Sequence, residues 1–226
     1  MIIGNGLIAN AFAKYERVDE ILIFASGVSN SLETNEEEFK RERNLLEKSI
    51  RENTNKIIVY FSSYVGSDQR KKDYAKHKQN MVNLIKHSGN YYTILMLPQI
   101  IGRGGNQNTL INYVVNKIKN NEPIDVYKDT YKALIDVDDL KRIFDVLYGW
   151  RDINIQFHIP YIEKLYIEDI VNLIGDQLKI TPIINLIDCE ESPNFELSLA
   201  AKGIIDKHLH IKKEGYIKKV IEKYIK

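Results

Sequence analysis

The sequence predicts an α/β fold of three layers, with a mostly parallel sheet between helices. Three observations predict it. Apolar bursts of strand length alternate with longer amphipathic stretches along all 226 residues, and strands alternating with helices make βαβ units. Two of the bursts, Glu-Ile-Leu-Ile-Phe-Ala at 20–25 and Ile-Ile-Val-Tyr-Phe at 57–61, read as buried strands. A glycine-rich turn follows the first burst and opens the first amphipathic stretch.

Taken in order, Met1 to Ile3 is a minimal strand and Leu7 to Tyr15 a helix opened by the glycines. Glu20 to Ala25 is a strand. Glu36 to Glu52 is a helix, charged on one side, with Phe39, Leu45, Leu46 and Ile50 near helical spacing. Lys56 to Ser62 is a strand, and Asp73 to His87 a helix with Met81, Leu84 and Ile85 inward. Tyr92 to Leu97, Ile124 to Tyr127 and Ile153 to His158 are further strands. Asn108 to Lys119, Val137 to Leu147, Ile167 to Leu178 and Tyr216 to Ile225 are further helices. On such sheets ligands sit at the carboxyl ends of the strands, near the point where strand order reverses. The loops after the strands are therefore where chemistry is expected.

Composition narrows the classes. The length suits one well-packed domain with a small appendage. The net charge of +1 supplies no field toward nucleic acid or an acidic membrane, so neither is expected as a partner. The single cysteine, Cys189, cannot close an internal disulfide or build a cysteine-based zinc site, which fits a reducing compartment. The first residues lack a basic segment followed by a long apolar one, and no apolar run has the length of a bilayer, so a cytoplasmic protein is expected.

Three loops carry something. Gly4-Asn5-Gly6-Leu7-Ile8-Ala9 is G-x-G-x-x-A between a strand and a helix. The first glycine allows the tight turn and the second lets backbone N–H groups approach a pyrophosphate. The small Ala9 lets helix and strand pack closely. The bland alternative is an ordinary glycine turn. The second loop follows Phe61: Ser62-Ser63-Tyr64-Val65-Gly66, with Tyr74-Ala75-Lys76-His77-Lys78 beginning eleven residues past Ser63. A tyrosine four before a lysine on a helix shares its face. The ammonium there favours the phenolate, and a phenol so poised trades protons with a substrate hydroxyl. Ser63 can hydrogen-bond the same oxygen. The bland alternative for Tyr74 and Lys78 is a solvated helix face with a snorkelling lysine. Tyr113 and Lys117 repeat the spacing without a strand-end serine and read as a surface coincidence; His77 reads as solvent-exposed. The third loop, Gly102 to Gln107, is polar and rich in glycine. Asp136, Asp138 and Asp139 could suggest a metal site, but Asp138 and Asp139 sit where a helix begins and capping is the reading, while His208 and His210 read as part of a solvated basic edge. No metal is expected.

At this point the chain resembles the short-chain dehydrogenase/reductase superfamily, in its NAD-dependent epimerase/dehydratase branch acting on nucleotide sugars. Gly4 to Ala9 resembles the cofactor turn, Phe24-Ala25-Ser26-Gly27 the segment beside the cofactor, and Ser63, Tyr74 and Lys78 the catalytic serine, tyrosine and lysine. Leu97-Pro98-Gln99-Ile100-Ile101-Gly102-Arg103-Gly104 resembles the branch's LP-x-x-x-G-x-G stretch. Tyr131 to Leu140 and Tyr161 to Leu178 resemble its later segments. The resemblance implies a Rossmann-like fold with an NAD(P)-binding core over 1–150, then a returning strand and small C-terminal substrate region over 151–226. It implies NAD or NADP as cofactor, held by Gly4, Asn5, Gly6, Leu7, Ile8, Ala25, Ser26, Gly27, Tyr74, Lys78 and Pro98. A nucleotide sugar would be contacted by Arg103, Asn106 and Asn108. It implies epimerisation, dehydration or ketoreduction, and a homodimer for which the Asp73 to His87 helix is a candidate face.

The chain departs from this pattern in places. The first strand passes through its helix almost directly into what resembles the fourth, so one or two βα units are missing, with the acid that grips the adenosine ribose. Beyond Phe24 no carboxylate comes before Glu33, and Met96 replaces the arginine common before the proline. A non-catalytic protein on the same fold, binding a dinucleotide or nucleotide sugar or scaffolding another enzyme, is the alternative.

Overall fold

The structure is a computed structural model that describes residues 1–64, 71–107, 109–151, 153–188 and 209–226. Gly66, Asn108, Cys189, Lys207 and His208 lie outside the described residues. The chain folds into two compact units. One comprises Met1–Leu97 and Leu140–Ile159, the other Pro98–Asp139 and Pro160–Lys226. The chain therefore crosses between units at three points.

In the first unit, strands β1 (Ile2–Ile3), β2 (Ile21–Phe24), β3 (Ile57–Ser63), β4 (Tyr92–Leu97) and β8 (Ile155–His158) form a parallel sheet in the order β1-β2-β3-β4-β8. The order never reverses among the described residues. The expected switch point is therefore not found among the described residues, and β1 stands at the edge of the sheet. All four residues of β2 are buried, as in a strand covered on both faces. On one face, α2 (Glu36–Glu52) and α3 (Lys72–Lys86) cover Leu22, Phe24, Ile58, Tyr60 and Ile94, with Leu46, Met81 and Ile85 from the helices completing the core. On the other, Phe12 meets Phe61 edge to face at 5.1 Å and Phe144 of α5 (Val137–Gly149) at 5.4 Å. The first helix, α1, spans only Leu7–Ala11. Fully buried Phe12 turns toward its aromatic partners and a 3-10 turn, Ala13–Tyr15, follows. The expected helix to Tyr15 is cut short there.

The second unit holds strands that the periodicity does not announce. β5 (Gln99–Ile101) runs parallel to β7 (Tyr131–Asp136), and β7 pairs antiparallel with β9 (Lys164–Tyr166). β6 (Ile124–Tyr127) pairs parallel with β10 (Ile184–Ile187). Helices α4 (Leu110–Lys119), α6 (Ile167–Leu178) and α7 (Tyr216–Tyr224) complete it. Among the described residues no helix is long and apolar enough to cross a membrane.

Candidate active site

In the first unit the chemistry-bearing residues converge on the carboxyl edge of neighbouring parallel strands. The Gly4–Gly6 turn follows β1, Ala25–Gly27 follows β2, Ser62 and Ser63 end β3, and α3 carries Tyr74 and Lys78. Gly4, Asn5 and Gly6 are exposed, Leu7 and Ile8 half-buried. Gly4 has φ +124°, and a Cβ there would lie 2.4 Å from the Ala25 carbonyl oxygen. No side chain fits that approach. A Cβ on Gly6 would meet nothing within 4 Å, so the space above its backbone is open. Ala9 is buried, as close packing of helix on strand requires. With five residues α1 has little dipole of its own, so any anion here is held by backbone N–H groups.

Tyr74 and Lys78 do not sit on a solvated helix face. Their exposures are 5% and 4%. The Lys78 ammonium lies 5.6 Å from the centre of the Tyr74 ring and 5.5 Å from that of Tyr60. Its hydrogen bonds go to the Glu42 carboxylate, at 3.0 and 3.1 Å, and to the Tyr60 hydroxyl at 3.3 Å. Glu42 has no solvent exposure. It also accepts from the Tyr60 hydroxyl at 2.6 Å, His77 Nε2 at 2.9 Å and the Val28 backbone N–H at 2.7 Å. Burial alone would push this carboxyl up. The Lys78 ammonium and the donors from His77, Tyr60 and Val28 outweigh it and hold the group down at about 2. Because an ionised carboxylate only accepts, His77 Nε2 carries the hydrogen. His77 is therefore not exposed as expected: it is 7% accessible and stacks on Phe39 at 4.7 Å. The expectation failed because positions 74, 77, 78, 81, 82 and 85 form one helical stripe, and all six are buried.

The two serines at the end of β3 point to opposite faces of the sheet. Strand alternation puts Ser62 on the side of Tyr60 and Ser63 on the side of Phe61. Ser62 Oγ is buried without a hydrogen-bond partner among the described residues. Ser63 is half-buried, and its hydroxyl donates at 3.4 Å to the Tyr64 carbonyl. The repeat at Tyr113 and Lys117 is superficial, with Tyr113 exposed and Lys117 paired to Glu122 at 2.6 Å.

The remaining predicted residues belong to the second unit. Pro98 is half-buried; Arg103 and Asn106 are exposed. Arg103 lines a cleft of about 390 Å³ with Ile101, Asn112, Lys119 and Tyr224. The Asn106 carbonyl accepts from the Thr109 N–H and the Asn112 side chain, tying down the start of α4. Asp136 accepts from the Asp138 N–H at 2.8 Å and so caps the helix that Asp138 and Asp139 begin. It also accepts from Lys223 and Tyr224 of the last helix, each at 2.6 Å.

Glu42 and Tyr60 are the site residues that sequence reasoning missed. A signal existed for Glu42: it is a charge at helical spacing within the stripe of Phe39, Leu46, Ser49 and Ile50.

Comparison with known proteins agrees with this architecture. A search of curated proteins by sequence finds no match. Solved structures match with low identity. The Bordetella bronchiseptica enzyme WbmH, in complex with NAD+, superposes with a TM-score of 0.67 at 10% identity, over 97% of this chain and 78% of that one. The UDP-N-acetylglucosamine 4-epimerase of Methanobrevibacter ruminantium, in complex with UDP-N-acetylmuramic acid, gives 0.64 at 13% identity, over 90% and 74%. The dTDP-4-dehydrorhamnose reductase of Bacillus anthracis, in complex with NADP, gives 0.65 at 15%, over 96% and 84%. The model of the NAD dependent epimerase/dehydratase family matches residues 4–155, more than half of the chain. Because that model spans more than half of the residues, the chain belongs to the family.

Proposed function

We propose that this protein binds NAD or NADP and uses it to epimerise, dehydrate or reduce a nucleotide-linked sugar. The observation that carries the reading is the burial of Tyr74 and Lys78 together, on the helix beside the carboxyl edge that also bears the open Gly4–Gly6 turn. The residues fit the pyrophosphate and nicotinamide half of such a cofactor: the turn offers backbone N–H groups, and Ala25 to Gly27 border it. The adenosine half has less support, with no carboxylate ending β2 and no strand beyond β1 among the described residues. The cofactor, when bound, supplies the acceptor or donor of a hydride. The chain's own residues handle the proton and the positions. Tyr74 takes the proton from the sugar hydroxyl, or returns it to the carbonyl oxygen. Lys78 supports the phenolate and is assigned the nicotinamide ribose, and Ser63, though on the Phe61 side of β3, is assigned the reacting oxygen from its place at the strand's carboxyl end. Pro98 is proposed for the cofactor, and Arg103 and Asn106 for the sugar.

Tyr74→Phe tests the assignment. Turnover of nucleotide-linked hexoses should fall by about 10²- to 10⁴-fold, with cofactor binding unchanged. Undiminished turnover would remove Tyr74 from its role. A second reading, binding without turnover, draws on the edge position of β1, which leaves less surface for the adenosine.

A further inference from the structure

Lys78 is held by more than its helix. Its ammonium donates to both Glu42 oxygens and to the Tyr60 hydroxyl. Tyr60 in turn donates to Glu42, so lysine, glutamate and tyrosine close a ring drawn from α3, α2 and β3. The ring lies under the loop after β2. Val28 donates to Glu42, and a Cβ on Gly27 would sit 2.7 Å from Lys78 Nζ and 3.1 Å from Glu42 Oε1. The loop thus presents bare backbone where the pair lies. Stability alone does not explain such a pair. Desolvating two charges is costly, and apolar side chains of similar volume often serve as well or better. What the ring does supply is a fixed place for a lysine that otherwise has four rotatable bonds.

We propose that Glu42 is a positioning residue: its carboxylate fixes the Lys78 ammonium beneath Gly27, and through Lys78 it governs grip on the cofactor. The second clause rests on the NAD(P) reading above; the first does not.

The test is limited acetylation of the folded protein with acetic anhydride, with each lysine followed by mass spectrometry. Lys76, exposed on the same helix, is the internal reference. Near-ultraviolet circular dichroism reports the fold. In the wild type, Lys78 should react at least about tenfold more slowly than Lys76, since a charged hydrogen bond must break first. Glu42→Gln should bring Lys78 toward the rate of Lys76 and leave Lys76 unchanged. Gly27→Ala pushes on Nζ while keeping both charges, and should raise Lys78 reactivity in the same way. It also carries the test if Glu42→Gln does not fold. An unchanged Lys78 rate in a folded variant overturns the clamp. For the second clause, NAD(P) dissociation constants are compared in a double-mutant cycle. Glu42→Gln should weaken binding about tenfold, and should add nothing in a Lys78→Met background. Additive losses overturn action through Lys78. If the wild type binds none of the cofactors, the NAD(P) reading and this second clause fall together, while acetylation still decides the clamp.

Discussion

Replacing Glu42 by glutamine removes one charge from a site without solvent access, and the structure sets both the size and the pH dependence of the cost. The folded carboxyl stands at about 2 against an ordinary 4.5, a difference worth about 3 kcal/mol. Removing one partner of a buried ion pair costs about 3–5 kcal/mol by general experience, which agrees. The folded carboxyl holds its proton less tightly than the unfolded one. The contribution is therefore complete above pH 4.5 and fades as pH falls from there toward 2. Glutamine has no such titration. The stability of the wild type minus that of Glu42→Gln should thus be about 3 kcal/mol or more at pH 7 and shrink by about that amount by pH 2. Urea unfolding of both proteins at pH 7, 5, 4 and 3 measures it. A difference below about 1 kcal/mol at pH 7, the scale of an exposed pair, or one that stays constant from pH 5 to 3, would refute the reasoning.

Two further outcomes follow from the packing. Gly4→Ala places a methyl group 2.4 Å from the Ala25 carbonyl oxygen in a left-handed backbone. It should cost about 2 kcal/mol or more and lower the melting temperature, whereas Gly6→Ala, with open space around its Cβ, should be milder on stability. Asp136→Ala removes the acceptor for the Asp138 N–H, Lys223 and Tyr224. It should cost about 2–3 kcal/mol, seen as amide exchange of α7 accelerated ahead of the first unit.

The first unit was legible because its strands are unbroken apolar runs. Ile21–Phe24 and Ile57–Ser63 announce a covered parallel sheet, and the glycine turn marks where the first strand ends. The second unit was less so. Gln99–Ile101 and Lys164–Tyr166 have three residues each, too few for any period, and Tyr131–Asp136 mixes charge with apolar residues; their pairing comes from distant chain. The same limit applies to the site. Tyr74 and Lys78 show their spacing within one helix, but Glu42 meets Lys78 across 36 residues of sequence, and no local pattern records that. The pattern did hold a hint, a glutamate in an apolar stripe, since a charge is seldom placed there without a partner.

The claim on which the account turns is that this shortened chain still holds a nicotinamide dinucleotide beside Tyr74 and Lys78. Titrating the wild type and Lys78→Met with NAD+, NADH, NADP+ and NADPH, and following the melting temperature, tests it most directly. The account predicts a saturable rise with one of the four, growing with ligand concentration, and a clearly weaker rise in Lys78→Met. No rise with any of the four at millimolar concentration, in a wild type that melts cooperatively, would contradict it.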